Sequence, residues 1–339
     1  MLSNNNPFHT DRPEVERMLA QMDAATAAAQ DDGVMLINGA DLTPQPVRWA
    51  WPGWLTQGKL HILAGPPSQG KTTIALTFGA TITTAGRWPD GSRCAEAGNV
   101  LIWSAEDDPA DTLLPRLLAA GAERGRCYFV RGRRVAGEER SFDPARDMPA
   151  LELEARRIGG ARLLVVDPVV SAVAGDSHKN TEVRRALQPI VDLASRLDAI
   201  VLGISHLSKG PPGADPLQRL TGSIAFGALA RVVLMTGESK APAATAAAPD
   251  TDAPTPADWH DPDADAGQPP PQAQPQHFVL VRNKSNLGPA GGGFEYQIDQ
   301  VQPLPGIVTN SIVWGRAVQG TPRDLLCAGA AAEDEAGGK

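Results

Sequence analysis

The chain has 339 residues, 42% of them hydrophobic and 21% charged, the balance of a globular protein with a sizeable core. It carries 31 basic against 39 acidic residues, a net charge of −8, which argues against a broad basic surface coating nucleic acid. No apolar run approaches the ~20 residues that span a bilayer, no signal-peptide pattern opens the chain, and Cys94, Cys127 and Cys327 lack metal-ligand spacing, so membrane, secretion and zinc are set aside and a cytoplasmic location is expected. In chain order, residues 1–46 read as a helical and flexible extension, with a helix from Pro13 to about Gln30 behind the capping Asp11. Residues 47–320 read as one α/β domain. Buried strands are predicted at Leu60–Ala64, Val100–Ser104, Cys127–Arg131, Leu163–Asp167, Ala199–Ser205 and Val232–Thr236. Helices are predicted at Thr72–Thr84, Asp111–Ala120, Ala150–Arg157 and Thr181–Leu197. That alternation implies a twisted, mostly parallel sheet covered on both faces. Residues 240–276 hold eleven Ala, nine Pro and six Asp without one Val, Ile or Leu, and read as a disordered insertion within the domain. Beyond it, His277–Arg282 and Gly293–Ile298 read as two further strands, and 321–339 as a flexible acidic tail.

Four segments carry chemistry. Gly65-Pro66-Pro67-Ser68-Gln69-Gly70-Lys71-Thr72 matches the phosphate-binding G-x-x-x-x-G-K-[ST] pattern, between a strand and a helix as that pattern requires. Its backbone N–H groups, with Thr73 at the helix start, would cradle the phosphates of ATP. Lys71 would reach the β- and γ-phosphates and Thr72 would hold Mg²⁺. Asp167 ends the apolar strand Leu163–Asp167, where a carboxylate can act on Mg²⁺ through water. Glu106, just past Val100–Ser104, is the candidate for orienting the attacking water, while the adjacent Asp107 and Asp108 suit capping of the next helix. His206 ends the fifth strand, where a polar group can contact the γ-phosphate; alone, it would read as an ordinary hydrogen-bonded histidine.

The order of these motifs resembles the RecA-like ATPases, and most closely the RepA-type replicative helicases of plasmids and phages. Trp49–Leu55 leading into Gly58-Lys59-Leu60 is similar to that family's opening segment, Ser104–Asp107 to its catalytic-glutamate strand and Ser205-His206 to its sensor strand. Thr221–Phe226 with Ala230-Arg231-Val232 resembles the helix and strand that follow, and Arg282-Asn283-Lys284 the segment that carries a trans-acting cation. The resemblance implies a RecA-like P-loop core with C-terminal antiparallel strands, ATP and Mg²⁺ as cofactors, and a homo-oligomeric ring, expected to be a hexamer. It also implies action on single-stranded DNA and a replication or regulatory partner protein. Arg282 and Lys284 are the finger candidates, with Arg231 in reserve and the alternative that they are surface charges on a strand edge. Lys179, Lys209 and Arg219 are the cations of the two loops that would line the ring's channel. Prolines 66 and 67 stand where related loops often have acid and Gly. A regulatory ATPase without a motor, and a small-molecule kinase, are the alternatives.

Overall fold

Strands that read as continuous apolar runs need cover on both faces, and the architecture supplies it. A computed structural model describes residues 16–18, 20, 36–173, 179–207, 224–239 and 277–326. The chain divides into Met1–Pro46 and Val47–Lys339. In the first unit, Glu16–Met18 and Ala20 are helical, and a 3-10 turn at Gly39–Asp41 is capped by Asn38, whose side-chain oxygen accepts from the Ala40 amide.

In the second unit nine strands form one sheet. They are β1 (Leu60–Gly65), β2 (Val100–Ser104), β3 (Cys127–Phe129), β4 (Leu163–Asp167), β5 (Ile200–His206), β6 (Val232–Glu238), β7 (Phe278–Ser285), β8 (Gly293–Leu304) and β9 (Ile307–Val318). Their spatial order is β9-β8-β7-β6-β1-β5-β4-β2-β3. From β6 to β3 the pairing is parallel; from β6 outward to β9 it is antiparallel. The expected α/β class, with a mostly parallel sheet and C-terminal antiparallel strands, is what the chain adopts.

Alternation along each strand divides the core into two layers. Leu63, Val165 and Leu234 face α1 (Lys71–Thr84), α2 (Leu114–Ala119) and an aromatic cluster. Ile62, Val166 and Met235 face α3 (Met148–Arg157), α4 (Asn180–Leu197) and α5 (Ile224–Leu229). In the aromatic cluster Trp51 stacks between Trp54 and Trp88, at 4.7 and 5.2 Å between ring centroids, and meets Phe78 of α1 and Phe294 of β8. These rings tie the lead-in segment to the helix that follows the phosphate loop. Pairs of this kind each contribute about 0.5–1.5 kcal/mol beyond the area they bury.

Several elements differ from expectation. The helix expected at Asp111–Ala120 begins as a π-turn, Pro109–Leu113, before α2. Strand β3 stops two residues short of Arg131, and the chain turns into an unanticipated hairpin, Gly132–Val135 with Glu138–Ser141. Strand β9 was not foreseen, although Pro305-Gly306 between two β-branched runs is a hairpin signal. A short helix, α6 (Pro322–Leu326), lies against β6 and β7, with Leu326 beside Gly237. The insertion at 240–276, the helix start at Pro13 and the Ser208–Gly222 loop with Lys209 and Arg219 lie outside the described residues. Among the described residues no helix is long and apolar enough to cross a membrane.

Candidate active site

The parallel strands end their carboxyl edges side by side, and the chemistry-bearing segments all leave from that edge. Gly65 is the last residue of β1 and pairs in register with His206 at the end of β5. Ser104, two residues before Glu106, pairs with Asp167 across β2 and β4. One strand, β5, separates the loop-bearing β1 from the Asp167 strand. Sequence places these residues up to 141 positions apart (Gly65 to His206), so only the sheet order brings them together.

The loop from Gly65 to Thr72 is held from two sides. A β-carbon at Gly65 would lie 1.8 Å from Thr236 Oγ1 of β6, so only glycine lets the backbone pass here. Gly70 adopts φ +69°, and a β-carbon there would meet Ile298 Cδ1 of β8 at 2.9 Å. The Tyr296 hydroxyl of β8 donates to the Gln69 carbonyl at 2.8 Å. Burial pushes that phenol above its ordinary range and keeps it a neutral donor. Tyr296, Ile298 and Ile312, whose Cδ1 would lie 3.3 Å from a β-carbon at Gly70, were missed by sequence reasoning. The aromatic and β-branched alternation around Gly293–Ile312 was the available signal.

Inside the loop, Lys71 Nζ donates to the Pro66 carbonyl at 2.7 Å, and the side chain is buried. Burial lowers its pKa from 10.5 to about 8, partly opposed by Asp167 and Glu106. Thr72 Oγ1 donates to Asp167 Oδ2 at 2.7 Å. Asp167 is buried, and burial raises its carboxyl to about 6; the Thr72 bond opposes this, while Glu106 and Asp107 add to it. His206 is half-buried at the end of β5, where burial and Lys71 lower its pKa and Glu106 raises it. Lys71, Glu106, Asp167 and His206 therefore feel one another's charge, which the sequence alone did not establish.

The three acids after β2 are sorted by their partners. Asp108 accepts from the Ala110 and Asp111 amides and so caps the following turn. Asp107 pairs with Arg116 of α2 at 3.0 Å. Among the described residues the exposed Glu106 carboxylate has neither hydrogen-bond nor ion-pair partner, although its own amide donates to Ser104 Oγ at 3.2 Å. Capping explains Asp108 and an ion pair explains Asp107, while the Glu106 carboxylate carries neither duty. Arg116 was not anticipated as the residue that separates them.

The donor set fits a magnesium nucleotide. Thr72 Oγ1 and Asp167 Oδ2 are hard oxygen donors within one hydrogen bond of each other, in keeping with an ion that takes few protein ligands and keeps its waters. The amides of Ser68 through Thr73 run into the N-terminus of α1, where an anion is favoured. The Gln69 side-chain oxygen is buried there and has no partner among the described residues.

Arg282 and Lys284, the expected trans-acting cations, are placed differently and are engaged within their own chain. Both lie on β7, whose ladder to β8 ends at Val281, with the Arg282 amide donating to the Gly292 carbonyl beyond it. Val233, which pairs with Ile62 near the start of β1, also pairs with Lys284, so this pair sits toward the opposite end of the sheet from the phosphate loop. Arg282 donates to the carbonyls of Gly53 (3.0 Å) and Gly291 (3.1 Å), with its guanidinium 5.0 Å from the Trp54 ring centre. Lys284 Nζ donates to the carbonyls of Gly227 (2.6 Å), Ala230 (3.2 Å) and Ala228 (3.4 Å), closing the C-terminus of α5. Burial lowers the pKa of both, as expected of cations drawn into the fold. Arg231 is exposed just before β6, and Lys179 pairs with Glu182 at 3.2 Å.

A family profile described as an AAA domain (AAA_25) matches residues 23–212, more than half of the chain. The chain belongs to this AAA-domain family. The match contains the phosphate loop, Glu106, Asp167 and His206, as expected of a P-loop ATPase. Among solved structures it is similar to a KaiC-like protein from the hyperthermophilic archaeon Pyrococcus horikoshii OT3, at 15% identity and a TM-score of 0.45, over 78% of this chain and 99% of that one. No curated protein matches the AAA-domain chain.

Proposed function

We propose that this ATPase is a ring motor that hydrolyses ATP to act on single-stranded DNA, as a RepA-type replicative helicase of a plasmid, phage or other mobile element. The observation that carries the reading is the convergence of Lys71, Thr72, Glu106, Asp167 and His206 at one edge of the sheet. When bound, Mg²⁺ would be held by Thr72, with Asp167 acting through water, and would neutralise phosphate charge. The loop amides and Lys71 hold the phosphates, and Lys71 exchanges its single carbonyl partner for phosphate oxygens. Glu106 accepts a hydrogen bond from the attacking water and turns it toward the γ-phosphate. His206, between Lys71 and the loop after β5, registers loss of that phosphate. A hexameric ring, single-stranded DNA, a replication partner and a cytoplasmic setting belong to this proposal through the motif resemblance.

A second reading, a regulatory ATPase without a motor, is favoured by one observation. Arg282 and Lys284, the cations expected to complete a neighbour's site, are engaged within their own chain. ATP hydrolysis measured with and without single-stranded DNA, alongside native mass, separates the two. Severalfold stimulation in a ring-sized assembly supports the motor. DNA-independent hydrolysis supports the regulator.

A further inference from the structure

The sheet edge at β3 carries a feature that ATP hydrolysis does not use. Residues 124–140 hold six arginines against two glutamates in a chain that is acidic overall. The hairpin after β3 brings Arg131, Arg133 and Arg134 to the rim of a groove of about 740 Å³, and Leu101, Phe142 and Leu151 lie on its floor. Arg133 pairs with Asp147 and Arg134 with Glu139, at 2.5 and 2.7 Å, while Arg131 is exposed. The Arg134–Glu139 pair is exposed on both sides, and such pairs contribute little and exchange partners readily, whereas the buried Asp147 fixes Arg133 at the rim. An apolar floor within a cationic rim fits an acidic peptide that carries one large apolar anchor.

The chain contains such a peptide. Asp258-Trp259-His260-Asp261-Pro262-Asp263-Ala264-Asp265 has four acids around a single tryptophan, within a stretch otherwise lacking large apolar side chains. We infer that this segment of the chain docks in the arginine-rimmed groove, with Trp259 on the apolar floor and the aspartates against the arginines. Its stems permit this. Ser239 and His277 are joined by a hydrogen bond at the carboxyl end of β6, the same edge from which Arg131 leaves β3. Five strand spacings separate β6 from β3, roughly 24 Å. Nineteen residues from Ser239 to Asp258 reach about 60 Å and twelve from Asp265 to His277 about 40 Å when extended. Single-stranded nucleic acid is the rival occupant, since phosphates also match arginines. Its bases need open ring faces for stacking, and of the rings that line the groove Phe142 is buried beside Trp103 while Tyr128 and Phe129 are half-buried.

The test is hydrogen exchange on the full-length chain. Trp259→Ala is expected to speed exchange severalfold at amides 131–135, and Arg131→Glu with Arg134→Glu to speed it severalfold at 258–265. Asp258→Asn combined with Asp261→Asn, Asp263→Asn and Asp265→Asn is expected to repeat the first arm. Unchanged exchange in either direction overturns the proposal. So does a single-stranded oligonucleotide that protects 131–135 equally in the parent and in Trp259→Ala, because the groove would then have been open to any polyanion.

Discussion

Lys71 and Lys284 lie toward opposite ends of the same sheet, and burial depresses both ammonium groups, yet their surroundings differ. Lys284 faces three backbone carbonyls at a helix C-terminus, and Arg282 beside it has two carbonyls and an aromatic face. Lys71 has one carbonyl partner and feels Asp167 and Glu106, of which Asp167 is itself destabilised as an anion. One end of the sheet spends its cations on the fold; the other leaves charge poorly satisfied until a ligand arrives. A buried cation with a single replaceable partner is the better mark of function.

The comparison breaks most sharply at Lys71 itself. Lys71→Ala is expected to lower hydrolysis by at least about 10²-fold with circular dichroism unchanged, because the side chain serves the ligand and not the core. Near-parental turnover would remove the loop from the account.

Asp167 sharpens it through pH. The folded carboxyl titrates near 6 against 3.8 unfolded, so the folded state binds the proton more tightly. The contribution of Asp167 to stability is then greatest below 3.8, falls as pH rises through the window to 6, and stays flat above it. Without nucleotide, Asp167→Asn should stabilise the chain at pH 8 by up to about 3 kcal/mol and leave it unchanged below pH 4. Urea titrations at the two pH values read this directly, and hydrolysis should fall in the same variant.

Arg282→Ala tests the other end. Loss of two hydrogen bonds and the Trp54 contact should cost about 2 kcal/mol in urea, with turnover per folded molecule nearly retained. A well-folded variant that loses turnover would restore Arg282 as a finger.

The smallest effect concerns protons. Near pH 8 Lys71 is about half protonated in the free chain, and phosphate oxygens will favour its charged form. Calorimetry in buffers of different ionisation enthalpy should show ATP binding take up a fraction of a proton, and Lys71→Arg should show none.

Much of this was legible in the sequence. The phosphate loop, both acidic strand ends and the alternation of strands and helices are local patterns, and each landed within a few residues of its observed element. The sorting of Glu106, Asp107 and Asp108 was not local, because it depends on Arg116 and on the turn that follows. Nor was the fate of Arg282, whose partners Gly53 and Gly291 become neighbours only when the lead-in turn meets the C-terminal strands. Tyr296 and Ile298 belong to the loop's support through side-chain contacts across more than two hundred residues, which no short window records.

In the proposed mechanism Glu106, freed by the capping and ion-pair duties of its neighbours, orients the water in a site otherwise built to hold nucleotide. ATP affinity and single-turnover hydrolysis in Glu106→Gln test this most directly. Affinity should stay within about twofold of the parent while hydrolysis falls on the order of 10²-fold or more. A parallel loss of both, or hydrolysis at the parental rate, would contradict it.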